Sequence, residues 1–259
     1  MLLLFNTTNV SLVSSSHNHK SYLSGITSFL CEDIDISQSH FQLIALGFAT
    51  GMVEVVSYKD FSVYTSMQTG NLVIFSLFIM GASSVSISSL CASVFGFLVS
   101  ACISGHLTHL VGHHRRWWLM LSCFFQTFLV FLVVIFLYEG IILTTDEDAY
   151  VLVLLLAISF GIQVSMTRVL SCPEIPTIVL TLTFVDCLMD RNIFKRQNLA
   201  RNRRIFYLIF FIGGMVIGSV AFIRVNRQLP LIMLGIVKSL TTLSFLFVRK
   251  ARPRPSSLP

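Results

Sequence analysis

Apolar residues run along this chain in long blocks separated by short polar breaks. The first block extends from about Phe41 to Tyr58, carries Glu54 inside it, and ends at Lys59-Asp60. The second, Phe61 to Gly81, is apolar at both ends and interrupted by Ser66-Met67-Gln68-Thr69-Gly70-Asn71. Blocks over about 88–111, 117–138 and 150–170 follow, and Ser171-Cys172-Pro173-Glu174-Ile175-Pro176 stops the last of them. Thr177 to Met189 is too brief to span a bilayer with ease, whereas 205–223 and 229–248 are long enough. The long blocks approach the roughly 20 residues that a helix needs to cross a hydrocarbon core. The pattern predicts an all-α fold, a polytopic membrane helix bundle of six to seven spans with two interrupted helices. Around it stand a flexible polar tail over 1–40, a bundle over 41–248 with halves of about 41–138 and 150–248, and a basic disordered tail over 249–259.

Composition narrows the class. Of 259 residues, 54% are hydrophobic and only 12% charged. A soluble domain carries about a quarter charged residues, so this chain lacks the means to coat a water-soluble enzyme. A disordered chain would need low hydrophobicity and high charge. The net charge of +6 reads as membrane orientation, with no nucleic-acid partner implied. The turn 113–116, the loop 190–204 and the C-terminal tail are basic and are expected in the cytoplasm, whereas the loop 139–149 holds acids and no basic residue.

Between loops 139–149 and 190–204 the chain must cross an odd number of times. Tyr150–Leu170 therefore spans once, and Thr177–Met189 reads as a re-entrant or broken helix buried by its neighbours. If Phe61–Gly81 also fails to cross, there are six spans and both termini are cytoplasmic. If it crosses, there are seven and the N-terminus is outside. Asn6 and Asn9 stand in N-glycosylation acceptor patterns that would suit an external N-terminus. The six cysteines include no CxxC pair and read as small buried apolar side chains. His106, His109 and His113 share one helix face but stand beside Arg115 and Arg116, so they read as solvated basic residues, with no metal site expected. No Walker loop, GxSxG elbow, HExxH or dinucleotide fingerprint occurs, so neither an enzyme nor a cofactor is expected.

The halves echo each other. Gly51-Met52-Val53-Glu54 precedes Gln68-Thr69-Gly70-Asn71, and Gly161-Ile162-Gln163 precedes Thr181-Leu182-Thr183 and Asp186. Two spans follow each interrupted segment. Three spans per half would place the second copy upside down, a 3+3 inverted repeat of the kind many secondary transporters share.

The stretches Gly51–Ser57 and Met67-Gln68-Thr69-Gly70-Asn71 resemble the paired signature of the YoaK-like family of multipass membrane proteins. Phe160-Gly161-Ile162-Gln163, Pro176–Thr181 with Asp186, and Arg201–Arg204 before Gly213-Gly214 agree with it. The resemblance covers about 40–250, and the Ser-Met-Gln-Thr-Gly-Asn form looks closer to fungal members. It departs at Glu54, where the family often has Asp, and at Val164 and Leu182. The family is a domain of unknown function, so the resemblance implies a membrane bundle and no particular activity.

The residues supply the functional expectation. A carboxylate within an apolar span costs several kcal/mol unless paired, protonated or hydrated. Glu54 thus reads as a proton or cation site, or as half of an ion pair with Arg168 or Lys238. Gln68, Thr69, Gly70 and Asn71 place donors and acceptors at a break, and Gln163, Thr181 and Asp186 are their counterparts. The expectation is one shared polar site in a small-solute or ion transporter with the lipid bilayer and a small polar solute or proton as partners. The alternative is a non-transporting membrane scaffold or interaction protein.

Overall fold

The computed structural model describes residues 28–35, 39–112, 115–144, 147–170, 175–178, 180–195 and 197–250. These form eight helices of nine residues or more: α1 (His40–Phe61), α2 (Gln68–Ile79), α3 (Ile87–Val111), α4 (Arg116–Tyr138), α5 (Ala149–Val169), α6 (Leu180–Leu188), α7 (Leu199–Arg224) and α8 (Leu229–Ser244). Five of them, α1, α3, α4, α5 and α7, are long and apolar enough to cross a membrane. The protein is thus an all-helical membrane bundle.

Two apolar cores stack along the bundle. One joins Met52, Val56, Phe61, Leu90, Val133, Leu152 and Leu231. The other joins Ile34, Leu43, Leu119, Met166, Tyr207 and Phe245. α1 and α4 run from the second core to the first, and α5 and α8 run back. At the end beyond the second core, the segment before α1 meets both the α3–α4 turn and the end of α8. Asp33 bridges to Arg115 and Ile34 to Lys250 in antiparallel pairs. Lys250 Nζ lies 2.8 Å from Glu32 Oε1. We call this the basic end. The opposite end carries Glu139, Glu147 and Asp148, together with Lys59, Arg224 and Arg227.

Helix pairings repeat between the halves. The most extensive contacts are α3 with α5 and α1 with α7; α4 packs on α5 as α8 packs on α1, and α2 touches α3 as α6 touches α7. Glycine sets the close approaches. A methyl group on Gly51 of α1 would collide with the Phe211 carbonyl of α7, and one on Gly161 of α5 with the Phe97 carbonyl of α3. Gly214 meets the backbone of Phe48 in the same way. Small residues let membrane helices approach backbone to backbone.

Several boundaries differ from the pattern-based expectation. The last block stops being helical at Ser244, short of Val248, which leaves α8 with 16 residues. The cause is Arg116, a buried guanidinium that donates to the carbonyls of Phe245 (3.2 Å), Leu246 (2.6 Å) and Val248 (2.8 Å). A cation at a helix C-terminus satisfies carbonyls that lack helical partners. The tail expected to be flexible up to residue 40 is seated on the bundle over 28–35, where Ile34 is buried and Phe29 stacks under Arg116 at 4.0 Å. Residues 1–27 and 36–38 of that tail, Asn6 and Asn9 included, lie outside the described residues, as do His113 and 251–259.

Candidate functional site: a polar layer and a re-entrant clasp

Polar side chains gather between the two apolar cores. Gln126 stands halfway along α4, between Cys123 of one core and Val130 of the other. Lys238 of α8 reaches it, with Nζ 2.8 Å from Gln126 Oε1, 2.8 Å from Gln163 Oε1 and 3.1 Å from Ser159 Oγ. Three acceptors use all three ammonium hydrogens. The ammonium also lies 4.9 Å from the centre of the Phe160 ring, within cation–π range. Gln163 Nε2 donates to Thr50 Oγ1 at 3.0 Å, and Thr50 donates to the Leu46 carbonyl of its own helix. The layer thus ties α1, α4, α5 and α8 together. Every partner of Lys238 is neutral, and Gln126 Nε2 is buried with no hydrogen-bond partner in the structure.

Glu54 lies one turn along α1 from Thr50, a rise of about 6 Å. After α1 ends, Ser62 takes a left-handed conformation (φ 55°) and the chain turns back beside the helix it has just left. Ser57 Oγ donates to the Val63 carbonyl at 2.9 Å, and the Ser66 amide donates to Glu54 Oε1 at 2.8 Å. This antiparallel descent carries 62–66 into the bundle, and α2 leads out again. Asn71 holds the descent in place. Its Oδ1 accepts from the Tyr64 amide at 2.8 Å, and its Nδ2, whose two hydrogens are shared among three acceptors, lies 2.7 Å from the Tyr64 carbonyl, 2.9 Å from Gln68 Oε1 and 2.9 Å from Ser93 Oγ of α3. Side-chain amides therefore replace the helix bonds that irregular backbone at this depth lacks. Gly70 lies within regular helix, so its role is not an unusual backbone angle. A Cβ there would press on the Tyr64 ring.

The residues expected to share one site are divided among separate places. Glu54, Gln68 and Asn71 meet around the re-entrant coil. Gln163 belongs to the Lys238 layer. Thr69 and Thr181 are exposed. Asp186 is half-buried in a polar depression of about 470 Å³ that it lines with Asp190, Asn192, Asn198 and Arg204. The second break is shallower than the first: Thr177, again at φ 55°, comes within 3.4 Å of Thr167, near the end of α5. Glu54 pairs with neither expected cation, since Lys238 is occupied by the layer and Arg168 is exposed. Sequence reasoning missed Thr50, Gln126 and Ser159. The available signal was a lone amide in the middle of α4 and a serine one turn before Gln163.

A buried polar layer across an all-helical bundle, clasped by a re-entrant segment, defines an integral membrane protein. Residues 42–244 match the model of a family described as Protein of unknown function (DUF1275). The chain belongs to that family, which agrees with the resemblance carried by Gly51–Ser57 and Met67–Asn71. No curated protein and no solved structure matches it.

Proposed function

We propose that this protein is a secondary transporter of a small polar solute, built from six passes in a 3+3 inverted repeat with both termini in the cytoplasm. The observation that carries this reading is that Lys238 and Glu54 both lie deep in the bundle, one helical turn apart in level, without forming an ion pair. Each buried charge costs several kcal/mol, and intramembrane ionisable groups of this kind mark solute and proton paths. The repeated helix pairings and the entry of the two broken segments from opposite ends support the repeat. Here the layer is closed and its groups bind one another; a solute would take over the acceptors that now hold Lys238. Within the family, the Ser-Met-Gln-Thr-Gly-Asn element aligns the chain with fungal members.

The test is reconstitution in liposomes holding a lumenal pH dye, with amino acids, organic acids and amines presented in turn. A solute-dependent signal that Lys238→Met abolishes supports the reading. Full signal in Lys238→Met overturns the role of the layer. A second reading, a non-transporting scaffold, is favoured by the full satisfaction of Lys238 and Asn71. It gains if no solute of the panel produces a signal while Lys238→Met and Asn71→Ala both lose folded protein in detergent.

A further inference from the structure

The re-entrant coil leaves a group of oxygens without partners. Glu54 Oε1 is fixed by the Ser66 amide, but Oε2 is buried and makes no hydrogen bond within the structure. The hydroxyl of Ser66 is buried and unpartnered as well, and so is that of Thr65, the preceding residue. The neighbouring backbone is already engaged. The Val63 carbonyl accepts from Ser57, that of Tyr64 from Asn71 and Ser93, and that of Thr65 from Gln68. The unused groups are thus a carboxylate oxygen and two hydroxyls, all hard oxygen donors. No cationic side chain lies within salt-bridge distance of Glu54 among the described residues, and the ammonium of Lys238 is held by Gln126, Ser159 and Gln163.

Buried polar atoms are almost always bonded, and a group of exceptions calls for a missing partner. The Ser66 amide holds the Glu54 carboxylate against the coil that carries Thr65 and Ser66, so three unpartnered oxygens belong to one short stretch and the side chain it touches. Oxygen-only ligands suit hard cations. A single carboxylate neutralises one positive charge, whereas divalent sites of this type gather several carboxylates. We infer that Glu54, with the hydroxyls of Ser66 and Thr65, binds one dehydrated monovalent alkali cation, with sodium as the probe. The Ser66 amide holds the carboxylate so that Oε2 faces the ion, and Asn71 keeps the coil that carries both hydroxyls against α1. This deepens the transporter reading and rests on it for physiological meaning, since a cation one turn from the polar layer is placed to couple to its opening.

The experiment uses the full chain, purified in detergent at one fixed pH. Melting temperature and equilibrium binding of radioactive sodium are measured in sodium chloride and in choline chloride of equal ionic strength. Sodium is expected to raise the melting temperature in a saturable manner that choline does not reproduce. Glu54→Gln is expected to abolish both the shift and the binding. Ser66→Ala keeps the amide that holds Oε1 and removes only a ligand, so it should weaken the apparent sodium affinity about tenfold while the protein still folds. Equal melting in sodium and choline together with no radioactive sodium bound overturns the inference, and so does sodium binding unchanged in Ser66→Ala and Glu54→Gln. If Glu54→Gln fails to fold, Ser66→Ala and Thr65→Ala decide by the same affinity measurement. A solute signal in liposomes that needs no sodium would sink the cation site and leave the transporter reading standing.

Discussion

Lys238 and Gln163 meet at 2.8 Å between the two apolar cores, an ammonium donating to a neutral amide oxygen where a carboxylate would ordinarily be sought. The arrangement makes the cation dependent on its ligands more than the ligands on the cation. Removing the charge by Lys238→Met relieves a desolvation cost of several kcal/mol and loses three hydrogen bonds, so the net change should stay within about 2 kcal/mol. Gln163→Leu keeps the charge and removes a ligand, and it should cost about 3–5 kcal/mol, because it leaves a buried charge under-satisfied. Thermal unfolding in detergent checks the order. A larger loss in Lys238→Met than in Gln163→Leu would contradict this account of the layer.

Asn71 uses all of its amide in one clasp, and isosteric substitution probes it. Asn71→Ala frees the half-buried amide of Tyr64, whose carbonyl keeps its bond from Ser93, at a cost of about 1–3 kcal/mol. Asn71→Asp keeps the shape and the acceptor but turns a carboxylate oxygen toward the Tyr64 carbonyl and Gln68 Oε1. It should be the more destabilising of the two. Loosening should be confined to 62–71 and α2 in hydrogen exchange, with α5 and α8 unaffected.

Much of this was legible in the chain. The blocks over 88–111, 117–138 and 150–170 became α3, α4 and α5 within a residue or so, because long apolar runs have no other stable form in a bilayer. The Gln-Thr-Gly-Asn break was legible for the same reason: amides and glycine interrupt an apolar block only where something holds them. What the chain did not show was partnership. Gln126 and Lys238 are 112 residues apart, and no local pattern joins them. The shallow second break separates Asp186 from Gln163 because 175–178 are not helical and the helix resumes only at Leu180, after the chain has left the level of the layer. The end of α8 was misplaced for a related reason, since Arg116 lies 129 residues from the Phe245 carbonyl that it holds.

That capping contact gives its own prediction. Arg116→Ala leaves three carbonyls without donors, and the guanidinium bonds it removes are charge-assisted. The cost should be at least about 3 kcal/mol, with faster amide exchange over 244–250. Arg116→Lys supplies a point charge without the planar fork and should recover only part of the loss.

Asp190 predicts a dependence on pH at the basic end. Its carboxylate accepts from the Asn192 amide (2.8 Å) and the Asn198 side chain (2.9 Å), with Arg204 at 3.4 Å. These bonds hold its carboxyl below the ordinary aspartate value, with the Asn192 amide the largest cause. The contribution to the α6–α7 turn is therefore complete above the ordinary value of about 3.9, and it is lost as pH falls through the lower folded value. Amide exchange at Asn192 and Arg201, corrected for intrinsic rates, should rise on acidification through that range. In Asp190→Asn it should be fast already at neutral pH and change little with acid.

The antiparallel pairing of Asp33 with Arg115 bears on the number of crossings. It holds the segment before α1 at the same end of the bundle as the α3–α4 turn, and the pairing of Ile34 with Lys250 adds the C-terminal end. Asp33 and Lys250 on one side of a membrane require an even number of passes between them. Six follow if α1, α3, α4, α5, α7 and α8 cross and the two short helices do not. The seven-pass alternative would put Asp33 and Lys250 on opposite sides. Single cysteines at Asp33, Arg115, Glu139 and Lys250, in a chain whose native cysteines are replaced, separate these outcomes. An impermeant maleimide applied to sealed cells should label Glu139→Cys and spare the other three, which become reactive only after permeabilisation. The pair Asp33→Cys and Arg115→Cys should also form a disulfide under mild oxidation, because bridged strand residues lie about 4.5–5.5 Å apart at Cα. External labelling of Asp33→Cys with protection of Lys250→Cys would restore the seven-pass topology and remove the inverted repeat on which the transporter reading rests.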